Sequence, residues 1–327
     1  MTKIHKLLLL LIVYTAYGNP SWSQDLVEDY APKKNDYLKI GKTEKDVLPY
    51  IQKGYTLMLP EAETIKGVLV FLEDSGYDKK NRSAKQMYQQ ASEEDFAVLS
   101  VSTEIPFDFY FSKASALSTH QLIQQVFAEQ NLPNNNVFFI GIGLGGHRAM
   151  RHIKFMKEEA YEFQLNIKGI VICNSILDWT RKWHQYDREI RNNRNDLWEP
   201  KFVNYMLETH LGGTPRIIPD AYNDFSTYSY FDEANENIKL YTNYVVRAYI
   251  EPAIKYWLEE RLKTLYENNS PDMVGLLAEL ELAGNQHTEL IVLQPEDNPS
   301  PKKTPDTTWD AINKDELMDW IQGQTKH

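Results

Sequence analysis

The sequence predicts an α/β fold in which a mostly parallel sheet is covered by helices on both faces, and three observations predict it. Short runs rich in β-branched and aromatic residues recur along the chain, bounded by polar or glycine-containing turns. Several of these runs are apolar almost throughout, as strands buried on both faces are. Helical stretches alternate with them, which favours parallel strands joined by crossover helices. With 327 residues, 42% of them hydrophobic, the chain is long enough for one large domain.

Taken in order, Lys3 and Lys6 precede an apolar run over residues 7–13, and Pro20-Ser21-Trp22-Ser23 supplies small residues after it. This pattern predicts a signal peptide over residues 1–23, cleaved near Ser23, and a periplasmic or secreted mature protein. The apolar run is too short for a stable membrane anchor, and no cysteine stands near the cleavage site to carry a lipid. Residues 24–53 read as an N-terminal arm with one short helix over 44–51, followed by a domain over 54–327. Strands are expected over 55–59, 67–72, 96–103, 137–141, 167–173, 238–242 and 288–293. Helices are expected over 115–130, 146–159, 251–266, 272–283 and 314–322. The charged and aromatic stretch 179–230 interrupts this rhythm and fits a helical cap inserted between two strands, and residues 295–305 form a proline-rich loop. A net charge of −11 argues against a nucleic-acid partner, because a phosphate backbone would be repelled. Cys173 is the single cysteine, so no intramolecular disulfide forms; it reads as a buried thiol.

The segment from Asn136 to Met150 has the strand, tight glycine turn and helix of a nucleophile elbow. In a G-x-S-x-G elbow the central side chain attacks the substrate. Here the centre is Gly143, which has no side chain. Gly141, Gly143 and Gly146 also satisfy the dinucleotide pattern G-x-G-x-x-G, but the next strand runs into Asn174-Ser175 rather than the acidic residue that would hold a ribose. No cofactor is therefore expected.

From about residue 55 to 320 the sequence resembles the exported α/β-hydrolase family of Bacteroidetes-like bacteria. The resemblance rests on Gly67-Val68-Leu69-Val70-Phe71-Leu72, the elbow, Asn174-Ser175-Ile176-Leu177-Asp178-Trp179, and His210-Leu211-Gly212-Gly213-Thr214-Pro215. It continues through Tyr228-Ser229-Tyr230, Ile250-Glu251-Pro252-Ala253, Gly284-Asn285-Gln286, Thr307-Thr308-Trp309 and Asp315-Glu316-Leu317. It implies an α/β-hydrolase fold with a helical cap and a degenerate triad: the nucleophile falls on Gly143, the acid on Ala253 and the histidine on Thr307. Independently, the eight histidines leave none between Thr288 and Lys326, where that topology presents its base, and Thr cannot shuttle a proton near neutral pH. Glu73 and Asp74 follow the strand over 67–72, placing carboxylates where an oxyanion would need donors.

A ligand cleft is expected above the vacant elbow, with Glu73, Asp74, Leu144, Trp179, Trp183 and Tyr228 as candidate lining residues; close packing of the aromatic residues is the competing reading. His147 and His152 are five apart and do not share a helix face, so no metal site is expected. These readings describe an exported pseudo-hydrolase that binds a small molecule, a glycan or an envelope protein. A weak esterase or peptidase using Asp178, Ser75 or His147, and a structural envelope protein, are the alternatives.

Overall fold

The computed structural model describes residues 25–31, 37–39, 47–49, 53–73, 82–102, 109–159, 165–192 and 197–325. The expected export signal, Asp74, Ser75 and His327 lie outside the described residues. The strands are β1 (Asp25–Tyr30), β2 (Tyr37–Lys39), β3 (Val47–Pro49), β4 (Gly54–Leu59), β5 (Gly67–Leu72), β6 (Phe96–Ser102), β7 (Val137–Ile142), β8 (Ile167–Cys173), β9 (Val245–Ile250) and β10 (Thr288–Val292). Eight of them form one sheet in the order β1-β4-β6-β5-β7-β8-β9-β10, and β2 and β3 pair separately. Strands β1, β4 and β6 run antiparallel to their neighbours in turn, and every pairing from β6 to β10 is parallel.

The twofold periodicity of a strand divides the apolar side chains between the two faces. On β5, Val68, Val70 and Leu72 join one core and Leu69 and Phe71 the other; on β6, Ala97, Leu99 and Val101 oppose Phe96 and Val98 in the same way. The helices complete both layers. They are α1 (Arg82–Lys85), α2 (Tyr88–Glu93), α3 (Lys113–Glu129), α4 (Leu144–Glu158), α5 (Trp179–Arg191), α6 (Trp198–Leu211), α7 (Pro219–Phe225), α8 (Glu236–Lys239), α9 (Ile254–Arg261), α10 (Ser270–Leu282), α11 (Pro305–Ala311) and α12 (Lys314–Gln324). Helices α3, α4 and α10 cover the first face, contributing Ile123, Ile153 and Leu276 among others. Helices α1, α2, α11 and α12 cover the second through Ala84, Ala91, Trp309 and Leu317, and α2 and its flank add Met87 and Tyr88. Between β8 and β9, helices α5, α6 and α7 form the expected cap around their own core of Trp179, Trp183, Tyr186, Leu207, Tyr222 and Phe225. Among the described residues no helix is long and apolar enough to cross a membrane.

Three expectations need correction. Residues 238–242 are not a strand: α8 and a turn occupy them, and Tyr241 is buried with its hydroxyl donating to the Met150 carbonyl at 3.1 Å. The strand is β9, whose Arg247 disguised it by interrupting an apolar run. That guanidinium is nonetheless buried, held by Glu316 at 2.5 Å and Glu289 at 3.2 Å, and stacked near Trp320. The N-terminal arm contributes β1 to the main sheet, and the part of its expected helix that is described, Val47–Pro49, is strand. Helix α11 was not expected at all. Its signal was Thr304-Pro305, an N-cap hydroxyl followed by proline in the first turn.

Candidate functional site

Strand β7 delivers the chain to the carboxyl edge of the parallel sheet, where open α/β sheets bind ligands. At Gly143 the backbone turns with φ 58° and ψ −118°, and α4 starts at the next residue. Only glycine occupies that region without steric cost. The Gly143 N–H donates to the Cys173 carbonyl at 2.9 Å, and the Gly143 carbonyl accepts from Gly146 N–H at 3.3 Å. Because Gly143 has no side chain, the first-turn amides of α4 have no side-chain cap.

A depression of about 330 Å³ lies over this turn. Its floor is Leu72, Ile140, Ile142, Gly143, Leu144 and Gly145; one wall is Glu73, Arg82 and Ser83, and the other is Thr304, Pro305 and Asp306. The walls are joined across the mouth, where Arg82 reaches Asp310 at 2.9 Å and Asp306 at 3.6 Å, and Trp309 Nε1 donates to the Ser83 carbonyl at 3.2 Å. Pro305 presses directly on the turn: a Cβ added to Gly143 would meet Pro305 Cβ at 3.2 Å and Cγ at 3.3 Å. The turn is thus both bare and crowded.

Glu73 is the titratable group of this depression whose environment changes it most. Burial of its carboxyl pushes the pKa up from 4.5 to about 7, with the Asp306 charge adding to the rise; donation from Ala84 N–H, at 2.8 Å, and from Ser83 opposes it. An acid whose folded-state pKa is raised binds more protons folded than unfolded, so its contribution to stability is greatest below pH 4.5 and falls as pH rises toward 7. Glu73→Gln is therefore expected to gain about 3 kcal/mol over the parent at pH 8 and almost nothing at pH 4. Urea unfolding at both pH values measures this, and equal effects at the two would show that Glu73 is not desolvated.

The position that the resemblance gives to the triad acid, Ala253, lies just beyond β9. Ala253, half-buried, takes φ 40° and forms the N-cap of α9. Glu251, the first residue beyond β9, is the buried carboxylate there, accepting from Asn298 Nδ2 at 2.5 Å and Thr308 Oγ1 at 3.0 Å and pairing with Lys303 at 2.9 Å. Thr308 sits one residue beyond Thr307. Thr307 itself turns outward into the capping box of α11, donating to the Lys302 carbonyl at 2.7 Å. Glu251 stands two residues before Ala253 as the first acid after an apolar strand, but the helix expected over 251–266 placed it on a helix rather than at a strand end.

Among the described residues no imidazole lines the depression. His147 is buried in the cap core, its Nδ1 accepting from Trp179 Nε1 at 3.0 Å, and burial together with Arg151 and Arg148 pushes its pKa well below the ordinary value. His152 packs against His120 at 3.3 Å between ring nitrogens, and burial lowers it to about 3. His210 stacks on Phe111, and His287 precedes β10 at the opposite edge of the sheet. No group of three or more His, Cys, Asp or Glu among the described residues is arranged to hold a metal.

Of the expected lining residues, Glu73 and Leu144 line the depression. Trp179, Trp183 and Tyr228 do not, because packing claims them: the two tryptophans fill the cap core and Tyr228 lies in the main core. Asp178 is consumed as the N-cap of α5, accepting from Arg181 N–H at 2.9 Å and Tyr230 N–H at 3.0 Å. Sequence reasoning missed Arg82 and Pro305, which build the walls.

No family model matches the sequence, and the search of curated proteins finds no match. Solved structures do match. The chain is similar to carboxyl esterase 2 from the mycorrhizal fungus Tuber melanosporum, with TM-score 0.54 and 10% identity over 94% of this chain and 88% of that one. It is similar to esterases of the fungus Rhizomucor miehei, with TM-score 0.55 and 13% identity over 95% of this chain and 85% of that one. It also matches the Pyrococcus horikoshii acylaminoacyl peptidase at TM-score 0.53 and 10% identity, covering 95% of this chain but only 42% of the peptidase. With a mostly parallel eight-stranded sheet, an elbow at the end of β7 and a helical cap after β8, the chain has the α/β-hydrolase fold of esterases and peptidases.

Proposed function

We propose that this protein is an exported pseudo-hydrolase that binds a ligand or partner in the depression above Gly143 and does not cleave it. The observation that carries the reading is the turn itself: Gly143 offers no attacking atom, and Pro305 stands where one would project. Two further observations support it. The carboxylate beyond β9, Glu251, is neutralised by Lys303 and engaged by Thr308, so it orients a hydroxyl rather than an imidazole. The volume of about 330 Å³ lies at the small end of ligand sites. Its apolar floor and the polar groups of Glu73, Arg82 and Asp306 suit a small molecule with a hydrogen-bonding head, such as a short glycan; an envelope protein could instead present one side chain to it.

Fluorophosphonate labelling and p-nitrophenyl ester turnover test the claim on the purified mature protein. Neither signal is expected from the parent or from Gly143→Ser, because the added hydroxyl meets Pro305 and finds no base. Turnover by Gly143→Ser alone would defeat the assignment of the missing base. Thermal-shift screening against oligosaccharides and peptidoglycan fragments tests binding, with Arg82→Ala expected to reduce any shift. Cleavage near Ser23 is checked by the N-terminal sequence of exported protein.

A weak hydrolase is the second reading. The solved structures named above are esterases and a peptidase, and Glu73 has a pKa near neutrality beside the uncapped start of α4, as a general base would need. Turnover in the parent that Glu73→Gln abolishes would favour it.

A further inference from the structure

Helix α9 buries none of its residues, and it carries a stripe of exposed apolar side chains at helical spacing. Ile254, Leu258 and Leu262 are 57%, 59% and 67% exposed. The stripe continues into Leu265 and Tyr266, both exposed. It then reaches Tyr230 and Phe231, because both sides of the junction rest on one buried cluster: Arg181 Nη1 donates to the Tyr266 carbonyl at 2.7 Å, while Tyr230 N–H donates to Asp178 at 3.0 Å. Tyr230 is 79% exposed. Together these seven side chains leave on the order of 800 Å² of surface, above the largest apolar patch of a typical monomer and equal to one partner's share of a standard interface.

We infer that this patch is the contact surface of a two-fold homodimer. Area is the argument: the exposed apolar surface matches the share that each protomer of a stable dimer contributes, about 800 Å². Along α9, at one end of the patch, Lys255 and Arg261 balance Glu259 and Glu260, and Lys263, two residues beyond the helix, pairs with Glu189 at 2.8 Å. At the other end Phe231 is followed by Asp232 and Glu233, of which Glu233 is exposed. A two-fold axis near the middle of the patch, at Leu262, seats the Tyr230–Phe231 end of one protomer on the Ile254 end of its partner, and both copies gain the same contact. Such an isologous contact closes on itself, so it removes the apolar surface without propagating into a filament. The inference is independent of what occupies the depression over Gly143, which lies on different elements.

Sedimentation velocity of the full mature chain between about 1 and about 100 µM tests it, with a dimer expected in that range. Leu258→Glu and Tyr230→Glu are each expected to weaken association at least about tenfold while leaving the circular dichroism spectrum unchanged, since neither side chain is packed in the core. Leu262→Cys is expected to form an inter-protomer disulfide under mild oxidant. Cys173 gives no background, being buried with its thiol pKa raised by burial. A parent that stays monomeric at the top concentration overturns the proposal. So does a dimer that both glutamate variants leave intact, or a Leu262→Cys protein that never cross-links.

Discussion

Asp272→Asn is expected to lower the free energy of unfolding by about 3–5 kcal/mol, because it takes from a buried guanidinium the carboxylate that it is bonded to. Asp272, in the first turn of α10, is 1% exposed, and Arg181, in the first turn of the cap helix α5, is 3% exposed. The carboxylate takes Arg181 from two nitrogens, Nε closely and Nη2 at 2.9 Å, and also accepts from Leu177 N–H at 3.0 Å and Asp178 N–H at 3.1 Å. It therefore closes the chain leaving β8, the start of the cap and the start of α10 into one network. The Asp178 carboxyl, pushed up to about 6 by burial and by the Asp272 charge, depends on the same network. Asparagine keeps the shape of Asp272 but not its charge, so the loss measures electrostatics and not packing. Lys239→Ala is the control, since its pair with Glu236 is solvated and worth less than about 1 kcal/mol. Urea denaturation of both variants decides the matter; a loss under about 1 kcal/mol for Asp272→Asn would mean that water reaches Arg181.

What could be read in the sequence followed from periodicity and from glycine. β5 and β8 occupy the residues expected of them because their side chains are apolar on both faces, and no competing pattern crosses them. The elbow was legible because its constraint is local: a strand, a left-handed turn and a helix must follow within a few residues. β1 was not legible, since an edge strand reading Asp-Leu-Val-Glu-Asp-Tyr is mostly exposed and has no apolar alternation to show. β9 was hidden by Arg247, whose partners Glu289 and Glu316 lie far along the chain and are visible only after folding. The same limit applies to the site. The bare position at Gly143 is a property of one residue, whereas Pro305 over the turn and Thr308 on Glu251 are properties of a loop returning across the sheet. Aromatic residues misled for a related reason: Trp179 and Tyr228 have the composition of a binding cleft, and only burial distinguishes that from a cap packed on its own core.

Gly141→Ala is expected to cost about 3 kcal/mol or more, although it touches no reacting group, because overpacking against backbone cannot relax by a rotamer change. The new methyl would lie 2.3 Å from Gly146 Cα and 2.4 Å from Gly146 N, so β7 and α4 would have to separate. Gly146 is itself in close contact with Ser175, whose Oγ lies 2.1 Å from where a Gly146 methyl would be, and displacing α4 would unpack Met150 and Ile153, fully buried on the same helix. Gly323→Ala supplies the contrast: nothing lies within 4 Å of its added methyl, and in helix α12 alanine is expected to gain about 0.5 kcal/mol through backbone entropy. Thermal unfolding of the two variants separates a steric requirement from a general intolerance of alanine, and a mild effect at Gly141 would refute the close crossing of β7 and α4. The crossing also explains how an elbow can persist without a nucleophile. Gly141 and Gly146 are required by the distance between strand and helix, and Gly143 by its φ of 58°, so the turn is a packing solution whether or not any chemistry is done at it.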